Sequence, residues 1–468
     1  METFLMYFFG VVAFGLVIYL LIKKADIKTT LFGVGILLLY VAILMGNQVT
    51  KTGYPILAPL QVVVDAFKSI LPKAGLIILI LGGYTRYMNV IGANEVTVYT
   101  LTKPLKGITS PWVLVPFVFL IGNFLSLVIP SASNLAIILL ATLYPVLKRA
   151  GMSTLTAAGV IATTATIMPT PLGADNVAIA EELAKHAEFA GLTTTKYVYG
   201  YHAPVSIPTL LLMAVVHYFW QKYMDQRQVK KGISVIENDI DTSKAVNIEG
   251  GTLYKVVYTI LPLLPIILLL LFYLLGAIGG PSIDLSVELA VLISFAIAIF
   301  SELFRKRDGK KVMKDIETFF DGMASMFGVV ALLTAATVFV NGLQAIGLIK
   351  GLESIMQNTS APGFVLPLIL VLLTGLVVIL SGSGTALFYA MVPLMYNLAS
   401  VAGISPFAVS IPMGLAGNLL RAVSPVSAVV VIVAGATNQN PIEIVKRTSV
   451  PMIAGVIFMF ILSMIMFL

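Results

Sequence analysis

Cysteine is absent from the chain, which excludes disulfides, thiolate nucleophiles and zinc–sulfur centres. Histidine is nearly as scarce. His186, His202 and His217 are the whole complement, too few and too scattered to suggest a metal cluster. Charge is thin as well: Asp, Glu, Lys and Arg together make up 11% of the 468 residues, too little for a soluble surface of ordinary composition. HExxH, Gly-x-x-x-x-Gly-Lys and GxSxG motifs are all missing, so no enzyme activity is expected and ATP-driven chemistry by this chain alone is not. The alternating ten-residue pattern of an outer-membrane barrel is missing too.

What is present is apolar. Hydrophobic residues make up 59% of the chain and the mean hydropathy is +1.00, a balance that places the protein in a membrane. Ten stretches have the length that a bilayer core demands of a helix: about 3–22, 30–46, 75–93, 154–170, 200–221, 254–276, 285–304, 323–346, 406–436 and 449–468. The first lacks a basic flank and a small-residue cleavage site, and reads as a retained span. Two more stretches, 112–147 and 363–400, are too long for one helix. Small polar residues break each near its middle, at Ile129–Asn134 and at Ser381–Thr385. Each is either a re-entrant hairpin or a pair of complete spans. Ala58–Leu71 and Lys310–Phe320 are amphipathic and suit arms lying along the interface, or ordinary loop helices.

Basic residues orient the chain. Lys23, Lys24 and Lys28 follow the first span, Arg227, Lys230, Lys231 and Lys244 fill the central loop, and Arg305–Lys311 follow the seventh span, whereas loop 277–284 holds Asp284 and no base. Placing the basic loops inside puts both termini on the periplasmic side of a bacterial inner membrane, with the linker 224–252 cytoplasmic. The same loops account for the net charge of +7 without a nucleic-acid partner.

The two halves look alike. Ser110–Tyr144 followed by Ala150-Gly151-Met152-Ser153 runs parallel to Ser360–Tyr396 followed by Ala402-Gly403-Ile404-Ser405. After each hairpin comes an interrupted span, at Pro169–Asn176 and at Gly417–Pro425. The expected fold is therefore all-α and polytopic: an N-terminal repeat 1–223 and a C-terminal repeat 253–468 of opposite orientation, each with about five spans and one hairpin. Matched broken helices at a repeat interface point to a transporter binding site.

A helix that stops within the membrane aims free N–H groups and a positive dipole end at whatever sits there. The substrate-site candidates are Ser131, Ser133, Asn134, Ser381, Ser383, Gly384, Thr385, Asn418, Arg421 and Ser424. Their alternative role is close helix packing. Arg421 is the sharpest of them. An arginine inside an apolar span needs a ligand, an internal partner such as Asp175, or a path to the interface, and its fork suits a carboxylate. Thr170, Gly173, Asp175 and Asn176 form the matching group for a coupling ion; Asp175 would carry a proton, ligate sodium or pair with Arg421. Arg86 lies near the inner end of its span and reads as snorkelling outwards.

Several of these segments are familiar together. Ile91–Asn94, Ser381–Gly384 followed by Phe388-Tyr389-Ala390, Ser424–Ser427 and Val445–Pro451 make the chain resemble the anaerobic C4-dicarboxylate carrier (DcuC) family of the ion transporter superfamily, over nearly its full length. The resemblance implies uptake, efflux or exchange of succinate, fumarate, malate or aspartate, by an elevator-type motion of a transport domain against a scaffold, in a homodimer. It implies no cofactor beyond sodium or a proton as coupling ion. The Ser-Asn-Thr tips of the superfamily's sodium–dicarboxylate members are replaced by Ser131-Ala132-Ser133-Asn134 and Ser383-Gly384-Thr385. Proton coupling or exchange therefore stands beside sodium. The residues alone suit a monocarboxylate, an amino acid or an anion channel as well.

Overall fold

The computed structural model describes residues 2–23, 25–50, 54–167, 169–231, 250–279, 283, 285–349, 351 and 363–468, and among these it contains helices and no strand. Lys24, Lys244, Asp284, Ser360–Pro362 and linker residues 232–249, all used above, lie outside the described residues.

The chain opens with two apolar helices, α1 (Glu2–Ile22) and α2 (Ile27–Leu44). Asp26 caps α2 by accepting from the Thr29 N–H at 3.0 Å. The amphipathic α3 (Ala58–Ile70) passes through a π-helical turn, Leu71–Gly75, into α4 (Leu76–Val90). Pro72 has no N–H to give and Lys73 leaves helical geometry (φ −112°, ψ −109°), so the surface arm and the span that follows have separate axes. After α5 (Ala93–Thr102) come the hairpin arms α6 (Pro111–Ser126) and α7 (Ala132–Thr142) with its base α8 (Tyr144–Arg149). The interrupted pair α9 (Thr154–Ala162) and α10 (Ala174–Leu183) follows, then the short α11 (Thr194–Tyr197) and the long α12 (Ala203–Lys230).

The order recurs after the linker. α13 (Thr252–Ile260) and α14 (Leu264–Ala277) make one span, α15 (Val287–Lys306) the next, and α16 (Gly309–Ala345) joins a surface arm and a span without a break. The second hairpin is α17 (Val365–Ser381) and α18 (Thr385–Val401). The second interrupted pair is α19 (Pro406–Arg421) and α20 (Ala428–Thr437), and α21 (Pro441–Phe467) closes the chain. Six described helices are long and apolar enough to cross a membrane. Their outward faces carry Phe219, Phe304 and Ile465, exposed by 64%, 80% and 75%, as only an apolar solvent permits. The main hairpin arms have 16, 11, 17 and 17 residues, short of the roughly 20 that a full crossing takes.

The second hairpin is open at 382–384, within the stretch the sequence suggested, and the other three breaks sit a few residues away. The first hairpin is open at 127–131, so Ser133 and Asn134 belong to the first turn of α7 and Ser131 is its cap, accepting from the Asn134 N–H at 3.3 Å. The interrupted spans are open at 163–167 with 169–173, and at 422–427, which leaves Asp175 and Asn176 in the first turn of α10, and Asn418 and Arg421 inside α19. The reason is capping: a serine or glycine that ends a helix reads as the centre of a break when only composition is seen. α12 runs on to Lys230, so the first residues expected in the linker are helical.

Two packing groups emerge. In one, α16 lies against α2 and α4, with α3 and α15 beside it. Glycines allow this approach: a Cβ on Gly322 would lie 2.4 Å from the Gly82 carbonyl oxygen, and one on Gly35 2.7 Å from the Phe339 nitrogen. Gly322→Val is expected to lose about 1–3 kcal/mol through overpacking, read as a lower thermal midpoint of detergent-purified protein; an unchanged midpoint would show that the two helices do not meet here. In the other group α12 packs on α6 and α21, α19 on α17 and α21, and α20 on α7 and α9. The groups meet where α16 touches α18 and where α10 touches α4.

Candidate functional site

The two breaks within each half are tied to one another. In the first half, the side-chain amide of Asn123 donates to the Thr163 carbonyl at 3.1 Å and its oxygen accepts from the Thr166 N–H at 3.0 Å, satisfying backbone that has left the helix. The Thr170 hydroxyl donates to the Leu127 carbonyl at 3.3 Å. In the second half Ser424 donates to the Ile379 carbonyl at 2.8 Å. Thr170 and Ser424 occupy corresponding interruptions, and Leu127 and Ile379 lie near the ends of corresponding hairpin arms. Both hydroxyls thus spend their proton on holding a hairpin to a broken span.

The tips also press close. A Cβ on Gly384 would lie 2.9 Å from the Gly417 Cα, and one on Gly382 2.8 Å from the Ser427 Cα. Gly382 has φ +77°, a left-handed conformation that ends α17 and that a side chain would strain.

Where these elements converge with α4 and α16 there is a cavity of about 360 Å³. Seven of the candidate residues line it: Ser131, Gly173, Asp175, Gly384, Thr385, Asn418 and Arg421. Asp175 accepts from the Asn418 side-chain amide at 3.2 Å and from the Asn176 N–H at 3.0 Å. Gly173 makes room for it, since a Cβ there would lie 2.6 Å from the carboxylate. Arg421 donates through Nη2 to the Ala165 carbonyl at 2.6 Å, on the open backbone of the first half. No ion pair joins Arg421 to Asp175 among the described residues. Most of the guanidinium N–H groups are therefore left for a ligand, beside hydroxyl and amide donors and one carboxylate.

The other candidates are near the cavity without lining it. Asn176 donates to the Thr170 carbonyl at 3.0 Å, and Ser381 donates to the Val377 and Ser383 carbonyls at 2.7 and 3.0 Å. Ser133, Asn134 and Ser383 lie at the hairpin tips, outside the lining.

Several lining residues escaped the sequence reading. Thr85, Arg86 and Asn89 come from α4, Ser325 and Met326 from α16, and Phe388 and Tyr389 from α18. Their helices are unbroken where they sit, so no break marks them, and only the charge of Arg86 stands out in the sequence. Arg86, expected to snorkel, has an exposed side chain that lines the cavity, and Gly322 of α16 faces its Cβ.

A more polar cavity of about 600 Å³ opens between α2, α3, the ends of α10 and α16, and α18, lined by Asp65, Lys185, His186, Asn341 and Gln344 among others. Ala74, Ala178, Leu333 and Val392 are buried around a small pocket that Lys73, Glu181, Glu182 and Lys185 also line. Hydrogen bonds from Tyr84 of α4 to the Leu261 carbonyl (2.5 Å) and from Thr97 of α5 to the Thr259 carbonyl (3.2 Å) tie these helices to the end of α13 and the turn after it. Asn47, at the other end of the same packing group, donates to the Ala345 carbonyl at 2.8 Å.

A family model described as C4-dicarboxylate anaerobic carrier matches residues 5–468. The chain belongs to that family. The anaerobic C4-dicarboxylate transporter DcuC of Escherichia coli K12 is 36% identical over 473 residues, covering 100% of this chain and 98% of that protein. A probable anaerobic C4-dicarboxylate transporter DcuC of Vibrio cholerae is 36% identical over 455 residues, or 96% and 95% of the two chains. Among solved structures, the YdaH transporter of Alcanivorax borkumensis, which has an unusual topology, superposes with a TM-score of 0.67 at 16% identity, over 94% of this chain and 98% of its own. MtrF of Neisseria gonorrhoeae, described with a class of antimetabolite efflux pumps, gives 0.64 at 14% identity over 93% and 94%. At such identities the two structures speak for the fold alone. This carrier is thus a multi-pass membrane transporter of the C4-dicarboxylate family, with the helical fold of that pair.

Proposed function

We propose that this carrier moves C4-dicarboxylates such as succinate, fumarate, malate or aspartate across the bacterial inner membrane, as a secondary transporter. The observation that supports it is the cavity at the two hairpin tips. Arg421 reaches it with most of its donors unspent, Ser131 and Thr385 add hydroxyls, and the broken helices aim backbone N–H groups at the same space. One carboxylate of the substrate sits on Arg421 in a charge-assisted fork. In this reading the two halves are inverted repeats, and the group holding the hairpins slides against the group holding α2, α4 and α16, an elevator motion that opens the second cavity as the first closes. The protein acts as a homodimer, with both termini periplasmic and the linker cytoplasmic.

Counterflow of labelled succinate into proteoliposomes tests the proposal. Saturable uptake that unlabelled C4 acids compete away supports it. Absence of saturable uptake of any C4 acid would sink it, and a linear flux with single-channel currents would make the protein a channel. Asp175 is the coupling group, carrying a proton or ligating sodium with the Thr170, Gly173 and Asn176 backbone near it. Asp175→Asn is expected to keep succinate–succinate exchange while net uptake loses its response to an imposed proton or sodium gradient. Net uptake that still follows the gradient at the wild-type level would remove Asp175 from coupling.

A further inference from the structure

Arg86 is a cation without a protein partner. Among the described residues it forms no ion pair and no hydrogen bond, although it lines the cavity that also holds Arg421. The two arginines come from different packing groups, Arg86 on α4 and Arg421 on α19, so they occupy different walls of one space. Among the described residues the only carboxylate in that lining is Asp175, and it is already engaged by Asn418 and by the Asn176 N–H. The cavity therefore presents two guanidinium groups against one carboxylate.

Snorkelling explains a lone arginine near a helix end, but it requires a side chain free to turn away from its neighbours. Here the neighbouring helix stands against the base of the side chain: a Cβ on Gly322 of α16 would lie 2.6 Å from the Arg86 Cβ. The close approach of the two helices, centred on Gly82, Gly83 and Gly322, thus ends at the residue that carries the guanidinium, and that residue lines the cavity. A planar fork held over a cavity, with nothing in the protein to bind, is built to receive an oxyanion.

We infer that Arg86 receives the second carboxylate of the substrate, making it the residue that distinguishes dicarboxylates from monocarboxylates. This rests on the proposed reading, in which Arg421 holds the first carboxylate. A monocarboxylate satisfies Arg421 and leaves Arg86 to water, whereas a C4-dicarboxylate spans the walls and satisfies both.

The test compares succinate with its half-amide, which keeps the length and loses one charge, as inhibitors of labelled succinate exchange in proteoliposomes. In the wild-type protein succinate should outcompete the half-amide. Arg86→Gln should weaken succinate by roughly ten- to a hundredfold, the worth of a hydrogen-bonded charge contact, and leave the half-amide nearly unchanged, so that the two converge. Arg86→Lys should restore part of the gap. A gap that survives Arg86→Gln, or equal weakening of both compounds, overturns the assignment. If Arg86→Gln does not fold, Arg86→Lys alone decides: a narrowed gap supports the assignment and a wild-type gap overturns it. Failure of the underlying reading is distinguishable, since the wild-type protein would then show no saturable succinate exchange before any variant is made.

Discussion

Arg421→Gln should abolish saturable dicarboxylate uptake and leave the fold standing. Removing one partner of a desolvated, hydrogen-bonded charge pair costs about 2–5 kcal/mol of binding, or roughly thirtyfold to several thousandfold in affinity. The fold should survive because, among the described residues, the only hydrogen bond that Arg421 makes is to the Ala165 carbonyl, at 2.6 Å. That carbonyl lies outside the regular helices, beyond the end of α9 at Ala162, so no helix hydrogen bond depends on the contact. Arg421→Lys is expected to recover little, since an ammonium cannot reproduce the fork. The measurements are counterflow in proteoliposomes and the thermal midpoint in detergent. Wild-type uptake by Arg421→Gln would make the residue structural. A collapsed midpoint would mean that the lost uptake reports unfolding rather than recognition.

The second large effect lies away from the cavity. Arg447 on α21 is fully buried and pairs with Asp225 on α12 through an Nη1–Oδ1 contact of 2.6 Å. Around them Gln228 accepts from Arg447 Nη2 at 2.7 Å, and Ser153 and Thr156 donate to the Asp225 oxygens at 3.0 and 3.1 Å. Gln221 donates to the Arg447 carbonyl at 2.8 Å. Because Ser153 also caps α9, accepting from the Thr156 N–H at 3.0 Å, this network fixes the start of the helix that leads to the open segment under Arg421. Either Arg447→Ala or Asp225→Ala leaves an uncompensated buried charge and should destabilise by about 3–5 kcal/mol. Replacing both, Arg447→Met with Asp225→Leu, should lose less than the sum, since no lone charge is left behind. Monodisperse yield and thermal midpoint in detergent read all three. Single variants that melt with the wild type would show that the pair contributes no stability.

How legible the protein is in its sequence differs by feature, and the differences have causes. The spans were readable because each must be apolar for about 20 residues whatever it packs against. The hairpins and interrupted helices were readable because freed backbone in an apolar medium brings its own small polar residues, as at Ser131 and at Ser381–Thr385. The second hairpin's break fell where it was expected, at 382–384, whereas the first shifted by several residues because Ser131 caps a helix rather than centring the break. Ser424 and Thr170 were reasonable site candidates on composition. Their hydroxyls turned out to hold hairpin backbone, at Ile379 and Leu127.

The sequence by itself determined a helical membrane carrier with two similar halves, four polar breaks and one conspicuous arginine, because hydropathy, helix punctuation and intramembrane charge are local properties. Only the tertiary structure decided which of those polar groups share a space. Arg86 and Arg421 are joined by no periodicity, and Arg447 and Asp225 belong to different halves. Their meeting depends on how closely Gly83 and Gly322 let α4 and α16 approach, and on how α12 and α21 pack. Close approach is a property of two surfaces at once, and neither surface carries it alone.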